Sequence, residues 1–140
     1  MNVKRFVPGC LAVFVFIFVY EWIVHDKLLR GLYEQTPALW RTKAEMQERM
    51  VWLVGGQLAL AVLLSYIFTK GYENRGPAEG VRYGVLMGLL MTAGNLIMYA
   101  VQPISLALLA AWTVVGLLET IVAGLILAAI YQPRAAAGAV

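Results

Sequence analysis

One cysteine and one histidine occur in 140 residues, and charged residues make up only 14% of the chain. Each scarcity excludes something. A single cysteine, Cys10, leaves no internal disulfide and no thiolate cluster for a metal. Soluble domains carry about a quarter charged residues, so this chain lacks the polar surface that water on all sides would require. No phosphate loop, nucleophile elbow, zinc-protease motif or paired-cysteine motif occurs. The chain is therefore not expected to be an enzyme, and no cofactor or metal is expected. The net charge of +3 is modest. Its basic residues lie between the apolar runs, where they would meet lipid headgroups, so nucleic acid is not an expected partner.

Apolar sequence fills the space instead. Hydrophobic residues make up 61% of the chain and the mean hydropathy is +0.75. Four long apolar runs, at about 6–24, 51–69, 83–101 and 106–131, contain no lysine or arginine. Each is long enough to cross a hydrocarbon core of ~30 Å as a helix. The expected fold is an all-α integral membrane protein. It is an antiparallel bundle of four transmembrane helices, with an amphipathic connection between the first and second. One domain covers residues 1–132, and the small-residue tail 133–140 is expected to be mobile. The start, with Lys4 and Arg5 before an apolar run, has the form of a signal peptide. It has no small-residue cleavage site, so a retained signal anchor is expected.

Local signals punctuate the chain. Leu28, Leu29, Leu32 and Tyr33 continue the helical spacing beyond the first run, Thr36-Pro37 breaks it, and Trp40 suits a membrane interface. Thr42-Lys43-Ala44-Glu45 has the form of a capping box, and a helix is expected to run from it without interruption into the second span. Gly71 is expected to stop that helix in the left-handed conformation, and Pro77 to restart the chain. Gln102-Pro103 is the shortest turn, so the last two spans should form a tight hairpin.

Four spans put both termini on one side. Lys4, Arg5, Lys70, Arg75, Arg82 and Arg134 fall there, against Lys27, Arg30, Arg41, Lys43 and Arg49 on the other. The balance is nearly even. The pair before the first span places the termini in the cytoplasm.

Within the spans, polar and small residues share helical faces: Cys10, Glu21 and His25; Gln57 and Ser65; Gly84, Gly88, Thr92 and Asn95; Trp112, Gly116 and Glu119, with Thr113, Thr120 and Gly124 beside them. Lipid cannot hydrogen-bond such groups, so the faces should turn towards one another. Gly84, Gly88, Gly116 and Gly124 are expected to serve helix packing. The candidate intramembrane site comprises Glu119, Glu21, Asn95, Gln57, Thr92, Thr113 and His25. Depth counted at ~1.5 Å per residue predicts one polar layer of Glu21, Gln57, Asn95 and Thr113. A deeper layer would hold Glu119, Ser65 and Cys10, with Thr92 somewhat shallower.

Glu119 is the most informative of these residues. An ionised carboxylate at helix centre costs about 2.5–3.5 kcal/mol on insertion scales, and no cation lies in any span. It should be protonated, or face water or a bound cation. Glu21 and His25, four residues apart, can touch. They are too few for a metal centre, and an ion pair near the water boundary is the simpler expectation. Met87, Met91 and Met98 share a helical face and are read as core filling.

The pattern Tyr20-Glu21-Trp22-x-x-His25, then Leu28-Leu29-x-Gly31-Leu32-Tyr33, Trp40, and Lys70-Gly71-Tyr72-Glu73 resembles a group of small uncharacterised bacterial four-span inner-membrane proteins. The resemblance implies a bacterial inner membrane and a four-span length. It carries no activity or site residues.

Two kinds of function fit. One is a structural or accessory module that self-associates, as a homo-oligomer, or joins a larger membrane complex. The other is a carrier or channel for a proton, a small cation or a polar solute, with Glu119 as the titrating group.

Overall fold

A computed structural model describes residues 2–131. The tail predicted to be mobile, 133–140, lies outside the described residues. Among the described residues every regular element is helical. Helix α1 (Val3–Ile23) runs into a π-helical turn at Val24–Leu28, then a short α2 (Arg30–Tyr33) and a 3-10 turn at Pro37–Leu39. Helices α3 (Lys43–Glu48), α4 (Met50–Lys70), α5 (Pro77–Val101) and α6 (Leu106–Ile130) follow. Four helical segments, Val3–Leu28, α4, α5 and α6, are long and apolar enough to cross a membrane. That length and composition are those of a multi-pass membrane protein.

Large apolar side chains cover much of the outside, Trp52, Val51, Val101 and Ile97 among them. In water such a surface would be unstable, and in lipid it is the ordinary one. The buried core is correspondingly small. Val13 and Ile17 of α1, Ala61, Leu64 and Phe68 of α4, and Ala123, Leu127 and Tyr131 at the end of α6 form its main cluster. Aromatic edges close this end. Phe68 meets Tyr83 and Tyr72 meets Tyr131, each with ring centroids 5.2 Å apart, geometries that the ring quadrupole favours. The Asn2 amide donates to the Tyr131 hydroxyl at 3.0 Å, and Tyr83 donates to the Leu64 carbonyl.

The tightest pairing joins α5 to α6. A Cβ on Gly84 would collide with the backbone of Thr120 and Ile121. One on Gly80 would lie 2.5 Å from the Gly124 carbonyl oxygen, and one on Gly88 would lie 2.6 Å from Thr120 Oγ1. Only glycine permits this approach. Gly116 departs from its expected packing role, since nothing lies within 4 Å of its Cβ position.

Two local expectations need correction. The helix that begins at the Thr42 capping box, which is present with both reciprocal bonds, does not continue into α4. Arg49 leaves helical geometry at φ −107°, ψ 13°, and its guanidinium turns back to the Glu45 carbonyl at 3.1 Å. Gly71 is not left-handed either, at φ −101°. The chain reverses later, at Asn74 (φ 61°) and Gly76 (φ 66°). Helix α5 begins at Pro77, where the sequence is expected to restart the chain, ahead of the apolar run from Tyr83. Glu79 in its first turn is buried and accepts the Glu73 and Arg75 amides at 2.6 and 2.8 Å, which folds the loop onto the helix start.

Candidate functional site

Towards the opposite end, α1, α5 and α6 diverge around an open cavity of about 420 Å³. Glu21 and His25 line it from α1 and the π turn, Met91, Thr92 and Asn95 from α5, and Trp112, Gly116 and Glu119 from α6. The missing side chain of Gly116 is part of the space. The volume lies within the range of ~300–1,000 Å³ usual for small-ligand sites.

Glu119 sits at the cavity's inner wall with 4% of its surface exposed. Its Oε1 is buried and has no hydrogen-bond partner among the described residues. The Glu21 carboxyl lines the same cavity. Two acids on one cavity wall repel each other when both are charged. Tyr20, one turn from the cavity on α1, donates to the Val115 carbonyl at 2.8 Å and ties α1 to α6 beside the acid.

The other polar groups divide by where their bonds go. Thr92 donates to the Gly88 carbonyl at 2.8 Å, leaving its oxygen lone pairs towards the cavity. Thr113 bonds back to Leu109 at 3.0 Å and Thr120 to Gly116 at 3.0 Å, both within their own helix. Thr113 does not line the cavity, nor does Gln57, whose Oε1 is buried without a partner. Ser65 is fully buried on α4 beside the main core, and Cys10 is buried on α1.

The two predicted layers therefore become one cluster with different members. Glu21, Asn95, Thr92 and Glu119 come together, whereas Gln57 and Thr113 stay apart. The depth count took α1 to end at Val24. The helix continues to Leu28, so Glu21 lies further from the helix end than that count assumes, on the same cavity as Glu119.

The frame around His25 lies at the cavity's outer rim. Its Nε2 is 3.0 Å from Glu21 Oε2 and its Nδ1 bonds the Tyr33 hydroxyl. The Trp112 indole N–H donates to the same hydroxyl at 2.8 Å. The His25 and Tyr33 rings stack with centroids 5.7 Å apart, and Trp40 packs edge-on to both Tyr33 (4.9 Å) and Trp112 (6.1 Å). Burial pushes the Tyr33 hydroxyl above the usual phenol range, so it keeps its proton. Sequence spacing pairs His25 with Glu21 but gives no sign of Tyr33, because the π turn shifts α2 out of simple helical register. Among the described residues no group of three metal-ligating side chains forms.

Comparison with known proteins gives no match to a family model, to a curated protein or to a solved structure.

Proposed function

We propose that this protein is a carrier or channel of the bacterial inner membrane, moving a proton, a small cation or a polar solute through the cavity, with Glu119 as the titrating group. Its spanning helices run antiparallel and its termini face the cytoplasm. One observation carries the reading: the buried Glu119 carboxyl has an oxygen without a partner among the described residues, on the wall of an open cavity that Glu21 also lines. A carboxyl kept only to hold helices together would have its oxygens satisfied by neighbouring helices. Asn95 and Thr92 supply further polar atoms at the same wall. The test is flux of protons and of small cations into proteoliposomes, comparing the native chain with Glu119→Gln. Loss of flux in the variant supports the reading, and unchanged flux removes it.

A second reading, a self-associating or accessory module, is favoured by α4. Its first half carries exposed Val51, Trp52 and Leu53, with open space beside Gly55 and Gly56. Close by, Gln57 Oε1 is buried without a partner. A second copy or another membrane subunit would cover the exposed apolar side chains of this half. Native mass spectrometry in mild detergent tests this, and a strictly monomeric species with no bound partner excludes it. The two readings are compatible, since four helices enclose little space alone.

A further inference from the structure

The carrier reading leaves open what moves and from which side it reaches the buried acid. Polar contacts link Trp112, Tyr33, His25 and Glu21 in turn on the first-loop side, and Glu21 shares its cavity with the buried Glu119. We propose that His25, Glu21 and Glu119 form a proton relay in which His25 loads the two carboxyls, making the proton the transported species.

The donors fix the direction. The Tyr33 oxygen already accepts the Trp112 N–H, so its own hydrogen is free to point at His25 Nδ1. That occupies Nδ1 as an acceptor and leaves the imidazole hydrogen on Nε2, aimed at Glu21 Oε2 at 3.0 Å. The His25 side chain is 36% exposed, so water can reach it, whereas Glu119 is buried. The other groups sharing the cavity wall are Asn95 and Thr92 on α5, neither ionisable. Asp26 and Lys27 beside His25 pair with each other at 3.0 Å. Glu21 is therefore the base that His25 meets.

The transfer balances. The Tyr33 hydrogen turns away as a proton from water adds at Nδ1, and the imidazolium so formed, its Nδ1 hydrogen now donated to the Tyr33 oxygen, passes its Nε2 hydrogen to Glu21. The products are a neutral acid and a neutral imidazole with hydrogen on Nδ1. Glu21 hands its proton to Glu119, and rotation of the ring exchanges the two nitrogens and restores the starting arrangement. Tyr33 and Trp112 are positioning residues, holding the ring and its tautomer. The π turn that carries His25 suits this role, since such widened turns interrupt regular helix bonding and recur at functional sites.

His25 is the chain's one histidine, so its imidazole ¹⁵N resonances need no assignment. In the full-length protein reconstituted in vesicles they should report the Nε2–H tautomer when neutral, and Tyr33→Phe should give a mixture of tautomers. Proton uptake driven by a potassium diffusion potential, read by a trapped pH dye, should fall roughly a hundredfold in His25→Gln, the scale on which a positioned acid–base group acts. External imidazole should restore uptake in His25→Ala, which a misfolded variant could not show. Full proton uptake in His25→Gln, or a native protein that carries only other cations, overturns the relay and leaves the carrier reading standing. Uptake indifferent to Glu119→Gln overturns both.

Discussion

The Tyr20 hydroxyl donates to the Val115 carbonyl at 2.8 Å, joining α1 to α6 across the base of the cavity. Val115 is a helix residue, so its carbonyl accepts this bond beside its place in the helix ladder. Tyr20→Phe keeps the ring and removes the bond. The expected loss is about 0.5–1.5 kcal/mol of stability, read as a lower unfolding midpoint in detergent. Because the bond also holds α1 against Glu119, proton uptake should fall as well, with the fold retained. A variant as stable as the native chain would show that the tie between these helices lies elsewhere.

The α5–α6 hairpin gives a steeper prediction. Gly84→Ala sets a methyl against the Thr120 and Ile121 backbone, which cannot move aside as a side chain can. Overpacking of this kind costs about 1–3 kcal/mol. Gly94→Ala is the control, because nothing lies within 4 Å of its Cβ position. There the gain in helix propensity of about 0.5–1 kcal/mol should appear unopposed. Thermal unfolding of the two variants should move in opposite directions, and equal shifts would mean that α5 and α6 do not approach so closely.

Two carboxylates outside the spans should respond to acid. The Arg82 guanidinium, helped by the charge of Arg75, holds Glu73 below the usual carboxylate range. The Thr42 amide and hydroxyl do the same for Glu45. A carboxylate favoured in the folded state contributes stability above its unfolded value, about 4.3 for glutamate, and loses it as pH falls through the lower folded value. The Thr42 and Glu45 amide resonances should therefore shift below that range, with α3 fraying as they do. Glu45→Gln should abolish the acid response of Thr42 while leaving the one near Glu73. A response surviving in that variant would place the titrating group elsewhere.

How far the sequence reached depends on the range of the interaction involved. The spans were legible because long apolar runs without lysine or arginine have few alternatives to a helix. The Thr42–Glu45 capping box was legible because both partners lie within one turn. Gly84 and Gly88 announced a close approach through their spacing. Tyr33, bonded to His25 across a π turn, and Glu79, accepting two loop amides, gave no such signal. Their partners depend on how the π turn leads into α2 at Leu29 and how the backbone reverses at Asn74–Gly76, which residue types alone do not specify. That Glu21 and Glu119 share a cavity was hidden for a related reason: the depth count depends on where α1 ends, and the widened turn carries it to Leu28. Gln57 and Thr113 matched the polar faces by spacing but turn away from the cavity, one beside the sparsely covered half of α4 and one back onto its own helix.

Glu119 offers the sharpest separation between an acid kept for activity and one kept for structure. A buried polar group without a hydrogen bond costs about 1–3 kcal/mol in proteins, and Oε1 is such an atom. Glu119→Leu, close in volume and fully apolar, removes that cost and the strain of facing Glu21. The variant should unfold at a higher temperature than the native chain while losing proton uptake, the opposed changes expected where stability has been given up for function. Glu119→Gln should lie between them in stability and match the leucine variant in activity, since its amide cannot titrate. If Glu119→Leu instead unfolded several degrees lower, the carboxyl would be tying α6 to α1, and the cavity beside it would be a packing defect.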